Sequence, residues 1–154
     1  INPNNAELTF ITTLEERLYG LAFTSDGRLF GAGDGLYVVD IESGELSPFY
    51  VDHSYQTSGD IVGLPDGRLY WTVDGNDPSN GDDLVIVDPN TGNSVNRGSI
   101  GQSDIWGIGY SNGELIGFSN DGNMLSINPF DASISSNIGF EESWWGATTN
   151  PVRW

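Results

Sequence analysis

The chain has 154 residues with no Cys, one His and 21 Gly, and 37% of it is hydrophobic against 18% charged. That is enough for one domain with a core, and it leaves no disulfide, no thiolate metal ligand and no multi-His zinc site within the chain. Asp and Glu number 22 against 5 basic residues, all Arg, giving a formal net charge of −17; such a surface repels phosphates and anionic headgroups, and no apolar run approaches the ~20 residues of a membrane-spanning helix. Nucleic acid and membrane insertion are therefore not expected.

In chain order the residues repeat a small set of devices. Residues 1–14 open with Ile1-Asn2-Pro3-Asn4-Asn5-Ala6 and continue as Glu7-Leu8-Thr9-Phe10-Ile11-Thr12, whose alternation predicts a half-exposed outer strand. Residues 15–55 hold Leu18-Tyr19-Gly20-Leu21-Ala22-Phe23, the turn Asp26-Gly27 and the corner Val39-Asp40-Ile41-Glu42-Ser43-Gly44. Residues 56–102 repeat this as Asp60-Ile61-Val62-Gly63-Leu64, Asp66-Gly67 and Val87-Asp88-Pro89-Asn90-Thr91-Gly92, followed by the outer strand Asn93-Ser94-Val95-Asn96-Arg97-Gly98. Residues 103–140 repeat it again as Asp104-Ile105-Trp106-Gly107-Ile108-Gly109-Tyr110, Asn112-Gly113, Ile127-Asn128-Pro129-Phe130-Asp131-Ala132 and the outer strand Ser133-Ile134-Ser135-Ser136-Asn137-Ile138. Residues 141–154 begin a further copy with Ser143-Trp144-Trp145-Gly146-Ala147, expected to be an inner strand.

Each residue type suits its place. Pro presets a turn dihedral, Asn or Asp caps the turn through its side chain, and Gly accepts positive φ. Each unit then reads as a small-residue-rich strand, a tight turn, two further strands around a second turn, and a polar outer strand after the corner. The fold expected is all-β, a β-propeller of four-stranded antiparallel blades of about 40 residues. The termini would share an incomplete blade, with the outer strand in residues 1–14, the inner strand in 141–154 and the two middle strands missing. A β-sandwich with regular hairpins is the competing architecture, and an excised piece of a larger propeller is the competing account of the termini.

The stretches Leu21-Ala22-Phe23-Thr24-Ser25-Asp26-Gly27-Arg28-Leu29-Phe30-Gly31 and Leu84-Val85-Ile86-Val87-Asp88-Pro89-Asn90-Thr91-Gly92 resemble secreted bacterial β-propeller repeats, the group that includes gluconolactonase-type lactonases. The resemblance covers nearly the whole chain and implies a propeller and an extracellular location. The shared motifs are turn and strand devices, so no catalytic set comes with them.

Two carboxylate groupings are candidate cation sites. One is the loop carrying Asp74, Asn76, Asp77, Asp82 and Asp83, whose side-chain oxygens suit a hard cation; a solvated acidic loop is the alternative. The other is a ring of Glu16, Asp60, Asp104 and Glu142, each three or four residues before an inner-strand Gly, which a closed propeller would gather at one end of its axis. Calcium is the cofactor either would take, and none is required. The single His53 lies in Asp52-His53-Ser54, whose side chains alternate faces and do not form a triad by adjacency. Trp71 and Trp106 are expected between blades, and one of Trp144 and Trp145 is expected to be exposed, where an indole can stack on a sugar.

The function expected is that of a non-catalytic extracellular scaffold that self-associates, as oligomer or filament, through its open blade at Ile1, Leu8, Phe10, Trp145 and Trp154. A calcium- or carbohydrate-binding, lectin-like propeller is the alternative. A lactonase-like metal-dependent hydrolase ranks behind both.

Overall fold

The computed structural model describes Asn2 and residues 4–149, and these form twelve strands in three four-stranded antiparallel sheets. The first sheet contains β1 (Gly20–Phe23), β2 (Leu29–Ala32), β3 (Leu36–Val39) and β4 (Leu46–Phe49). The second contains β5 (Thr57–Gly63), β6 (Leu69–Val73), β7 (Asp83–Val87) and β8 (Ser94–Ser99). The third contains β9 (Ile105–Ser111), β10 (Glu114–Ser119), β11 (Asn123–Ile127) and β12 (Ile134–Gly139). Each sheet is a meander whose spatial order is its chain order, and the three are blades of a partial propeller. The inner strands β1, β5 and β9 pack side by side along the axis.

The corner turn forms in four copies. In each, the Asx backbone N–H donates to the carbonyl five residues on, and the small residue at the fourth place after the Asx donates back to the Asx carbonyl. The pairs are Asn2 with Glu7 and Ala6, Asp40 with Glu45 and Gly44, Asp88 with Asn93 and Gly92, and Asn128 with Ser133 and Ala132. The Asx side chain accepts from the N–H two residues on in every copy, at 2.8 to 3.0 Å. The last residue is left-handed, at φ 75° and 77° for Gly44 and Gly92 and 57° and 60° for Ala6 and Ala132, which explains why the position takes small residues. Asn112-Gly113, at φ 53° and 87°, joins β9 to β10 as a two-residue hairpin loop.

The core consists of two apolar layers between consecutive blades. Ala22, Phe30, Ala32 and Leu36 of the first blade meet Ile61, Leu69, Trp71, Val73, Val85 and Val87 of the second. The other face of the second blade presents Val62, Tyr70, Leu84 and Ile86 to Ile105, Ile108, Leu115, Leu125 and Ile127 of the third. This alternation is the period of two expected of a strand buried on both faces. Trp71 lies in a core layer, as expected, with its indole N–H unpaired and its ring edge-on to Tyr55.

Among the described residues, neither of the segments expected to form a terminal strand carries strand structure. Residues 7–12 carry no ladder and leave Leu8 and Phe10 exposed, although Thr12 rests against the Gly44 corner as Tyr50 rests against the Gly92 corner. Residues 143–149 are also without strand structure, yet they run along β9: Tyr110 donates its N–H to the Thr149 hydroxyl at 3.0 Å, and a Cβ on Gly107 would come to 2.6 Å from the Gly146 carbonyl carbon. Both segments therefore sit against blades without joining a sheet, because among the described residues neither has a middle strand to pair with. Ile1 and Trp154 lie outside the described residues.

Among the described residues, two blade faces have no partner blade. Leu21 and Phe23 alternate with Ala22 and so face away from the second blade, 55% and 54% exposed. On the third blade Ile138 and Phe140 are about half exposed, and Trp144 covers part of that face by packing on Phe118 and Phe140.

Candidate functional site

The axial end where the inner strands begin gathers the most polar and aromatic chemistry. β5 carries a bulge there: its register against β6 moves from Thr57 opposite Val73 to Ile61 opposite Trp71. The Asp60 N–H consequently meets the buried Thr72 hydroxyl at 3.2 Å in place of a ladder carbonyl, and the Asp60 side chain turns into the axis. Its carboxylate accepts from the N–H of Ile61 at 2.8 Å, of Ile108 at 3.0 Å and of Ala147, so one side chain joins β5, β9 and the C-terminal segment. Burial pushes this carboxyl up to about 6, against the backbone donors that favour its ionised form.

The expected axial ring is not formed. Asp60 is buried and committed to backbone donors, whereas Glu16, Asp104 and Glu142 are exposed, and among the described residues no three His, Asp or Glu side chains are grouped to hold a metal ion. Asp60 stands three residues before the inner-strand Gly63, but the bulge in β5 places it within the strand.

The loop between β6 and β7 likewise distributes its carboxylates. Asp77 caps a short 3-10 turn at Pro78–Asn80, accepting from the Ser79 N–H at 3.0 Å. Asp83 is buried and accepts from Asn96 at 2.8 Å and Asn76 at 3.3 Å. Asp82, also buried, accepts from the Ser58 hydroxyl at 2.7 Å and the Ile105 N–H at 2.9 Å, which ties the loop to both β5 and β9. Burial raises the Asp82 carboxyl, as do the charges of Asp104 and Asp74; Asp74 is raised by burial and by Asp104. The loop thus braces the axial end, and its oxygens do not converge on one point.

Around the same end, Tyr19, Ser58, Gly59, Trp106 and Trp145 bound a cleft of about 270 Å³. Trp145 is 76% exposed and its ring meets that of Trp106 at 4.8 Å between centroids and 46° between planes. Tyr19 and Ser58 were not singled out by sequence reasoning. A signal was present, since Tyr19-Gly20, Trp106-Gly107 and Trp145-Gly146 repeat an aromatic residue before the inner-strand Gly.

His53 lies in the linker between the first two blades, where the fold brings it to Ser94 of β8. Ser94 donates to Asp52 at 2.5 Å and lies 3.4 Å from His53 Nδ1, while the same Nδ1 is 3.1 Å from Asp52. A nucleophilic triad needs serine and carboxylate on opposite ring nitrogens. Here both approach Nδ1, and the group works as an exposed hydrogen-bonded clasp between blades.

No protein-family model and no curated protein matches the chain. Among solved structures it is similar to hydrazine synthase of Kuenenia stuttgartiensis at TM-score 0.57 and 19% identity, over 79% of this chain and 36% of that one. It is similar to a Bacteroides caccae protein of unknown function at TM-score 0.55 and 12% identity, over 88% and 49% of the two chains. It is also similar to the computationally designed Ika4 protein at TM-score 0.56 and 17% identity, over 91% and 86%. The chain therefore spans about a third and about a half of the first two structures' lengths. At these identities the likeness is one of fold.

Proposed function

We propose that the chain is a non-catalytic, extracellular scaffold that self-associates, with the free face of the third blade of one copy packing on the free face of the first blade of the next. The observation that carries this reading is the pair of unpartnered blade faces, Leu21 and Phe23 on one and Ile138 and Phe140 on the other, flanking two buried interblade layers of the same apolar character. The second blade has both of its faces covered by apolar layers, and a second copy supplies the missing cover of the other two with the same chemistry. The exposed Leu8, Phe10 and Trp145 add apolar surface on the terminal segments. The Nδ1-sided arrangement of Asp52, His53 and Ser94 supports a structural role over a hydrolytic one.

The contact is heterologous, so a substitution on either face is enough to break it. In light scattering the wild-type chain is expected to exceed its monomer mass of 16.6 kDa, and Phe23→Asp or Ile138→Asp is expected to return it to that mass. Mixing the two variants should restore a dimer and nothing larger, because each keeps one intact face. A wild-type chain that stays monomeric at high concentration would overturn the reading.

A further inference from the structure

We propose that the axial cleft of Tyr19, Ser58, Gly59, Trp106 and Trp145 binds an organic cation of the alkylammonium class, held against the three aromatic faces. One aromatic side chain arrives from the approach to β1, one from β9 and one from the C-terminal segment, and they close a space of about 270 Å³, room for a trimethylammonium group with its substituent. Trp145 and Tyr19 are 76% and 56% exposed, and neither belongs to an interblade layer. The face of an aromatic ring is the negative end of its quadrupole, and Trp106 and Trp145, tilted by 46° to each other, both border the cleft.

The charge behind the cleft has the same sign. Ser58, in the wall, donates to the buried Asp82, and Asp74 and Asp104 lie near enough to Asp82 to act on its charge. Among the described residues the ion pairs are Arg28 with Asp26 and His53 with Asp52, so no side-chain cation stands against these three carboxylates. A cation is the ligand complementary to aromatic faces in a negative field. A neutral sugar would have to draw its hydrogen bonds from the Tyr19 hydroxyl and the indole N–H groups of Trp106 and Trp145, since Ser58 already gives its proton to Asp82.

The test is a titration of the full chain with tetramethylammonium and choline chlorides, followed by tryptophan fluorescence and calorimetry. 3,3-Dimethylbutan-1-ol serves as the uncharged isostere, with methyl β-glucoside and calcium chloride at matched ionic strength. Saturable binding of both ammonium ions is expected, about tenfold tighter than the isostere. Trp145→Ala and Tyr19→Ala, both at exposed positions, should each weaken it by about three- to tenfold while leaving the fold intact, and Asp104→Asn should weaken it by about twofold at low salt. Equal affinity for the isostere, saturation by the glucoside or by calcium in place of the ammonium ions, or indifference to both aromatic substitutions would overturn the site. The Phe23→Asp chain should bind as the wild type does, whatever its assembly state; loss of binding there would overturn a site held within a single chain.

Discussion

At the residue scale, Asp60 is the side chain on which most of the axis depends. It is held by donors from three segments, and its carboxyl titrates near 6 against an ordinary 3.8. The native state therefore binds this proton more tightly than the unfolded chain. The stability linked to it is fully present below about pH 4 and is lost as pH rises through about 6, a change of about 3 kcal/mol. Urea unfolding of the wild type and of Asp60→Asn between pH 4 and 7 should show the wild type losing stability relative to the variant across that window. Parallel profiles would mean that the carboxyl titrates alike in both states. The residue type was visible in the repeat, but its place was not, because an alignment anchored on Gly63 cannot register a bulge that shifts β5 against β6.

At the element scale, the inner strands are built from small residues because neighbouring backbones come within reach of one another. A Cβ at Gly63 would run into the Phe23 carbonyl oxygen of β1, whereas one at Gly139, near the end of the outer strand β12, would meet only Asn123 Oδ1 at 3.9 Å. Gly63→Ala is accordingly expected to cost about 1–3 kcal/mol and Gly139→Ala less than about 0.5 kcal/mol, as read from thermal unfolding. Similar losses would show that the inner strands separate freely. Consecutive blades are also tied at their rims: Arg28, beside Asp26, donates to the Pro89 carbonyl at 2.7 Å and to Asn90 Oδ1 at 2.8 Å, joining the first hairpin turn to the corner of the second blade. The Asp-Gly-Arg and Asp-Pro-Asn segments were legible as turns, and their mutual contact was not, since 61 residues separate Arg28 from Pro89.

At the scale of the whole molecule, a net charge of −17 opposes any contact between copies, while the proposed contact itself is apolar. Screening should therefore help: at about 0.15 M salt the Debye length is about 8 Å, and at 1 M about 3 Å. Sedimentation at increasing sodium chloride is expected to show tighter self-association. Weakening with salt would mean that ion pairs carry the contact, contrary to a reading based on blade faces.

The sequence by itself determined the blades, because strand alternation, Asx corners and Gly turns are local and each writes its requirement into a few adjacent residues. The corner at Asn2 forms even though the strand expected after it does not, since its hydrogen bonds close within six residues. What only the tertiary structure decided depends on partners distant in the chain. A strand at residues 7–12 needs a neighbour's ladder, the fate of each carboxylate depends on which N–H groups the packing delivers to it, and the aromatic cleft exists because four segments meet at the same place on the axis. Alternating residues specify a strand's two faces, but whether a face is covered is settled by what the rest of the fold brings against it.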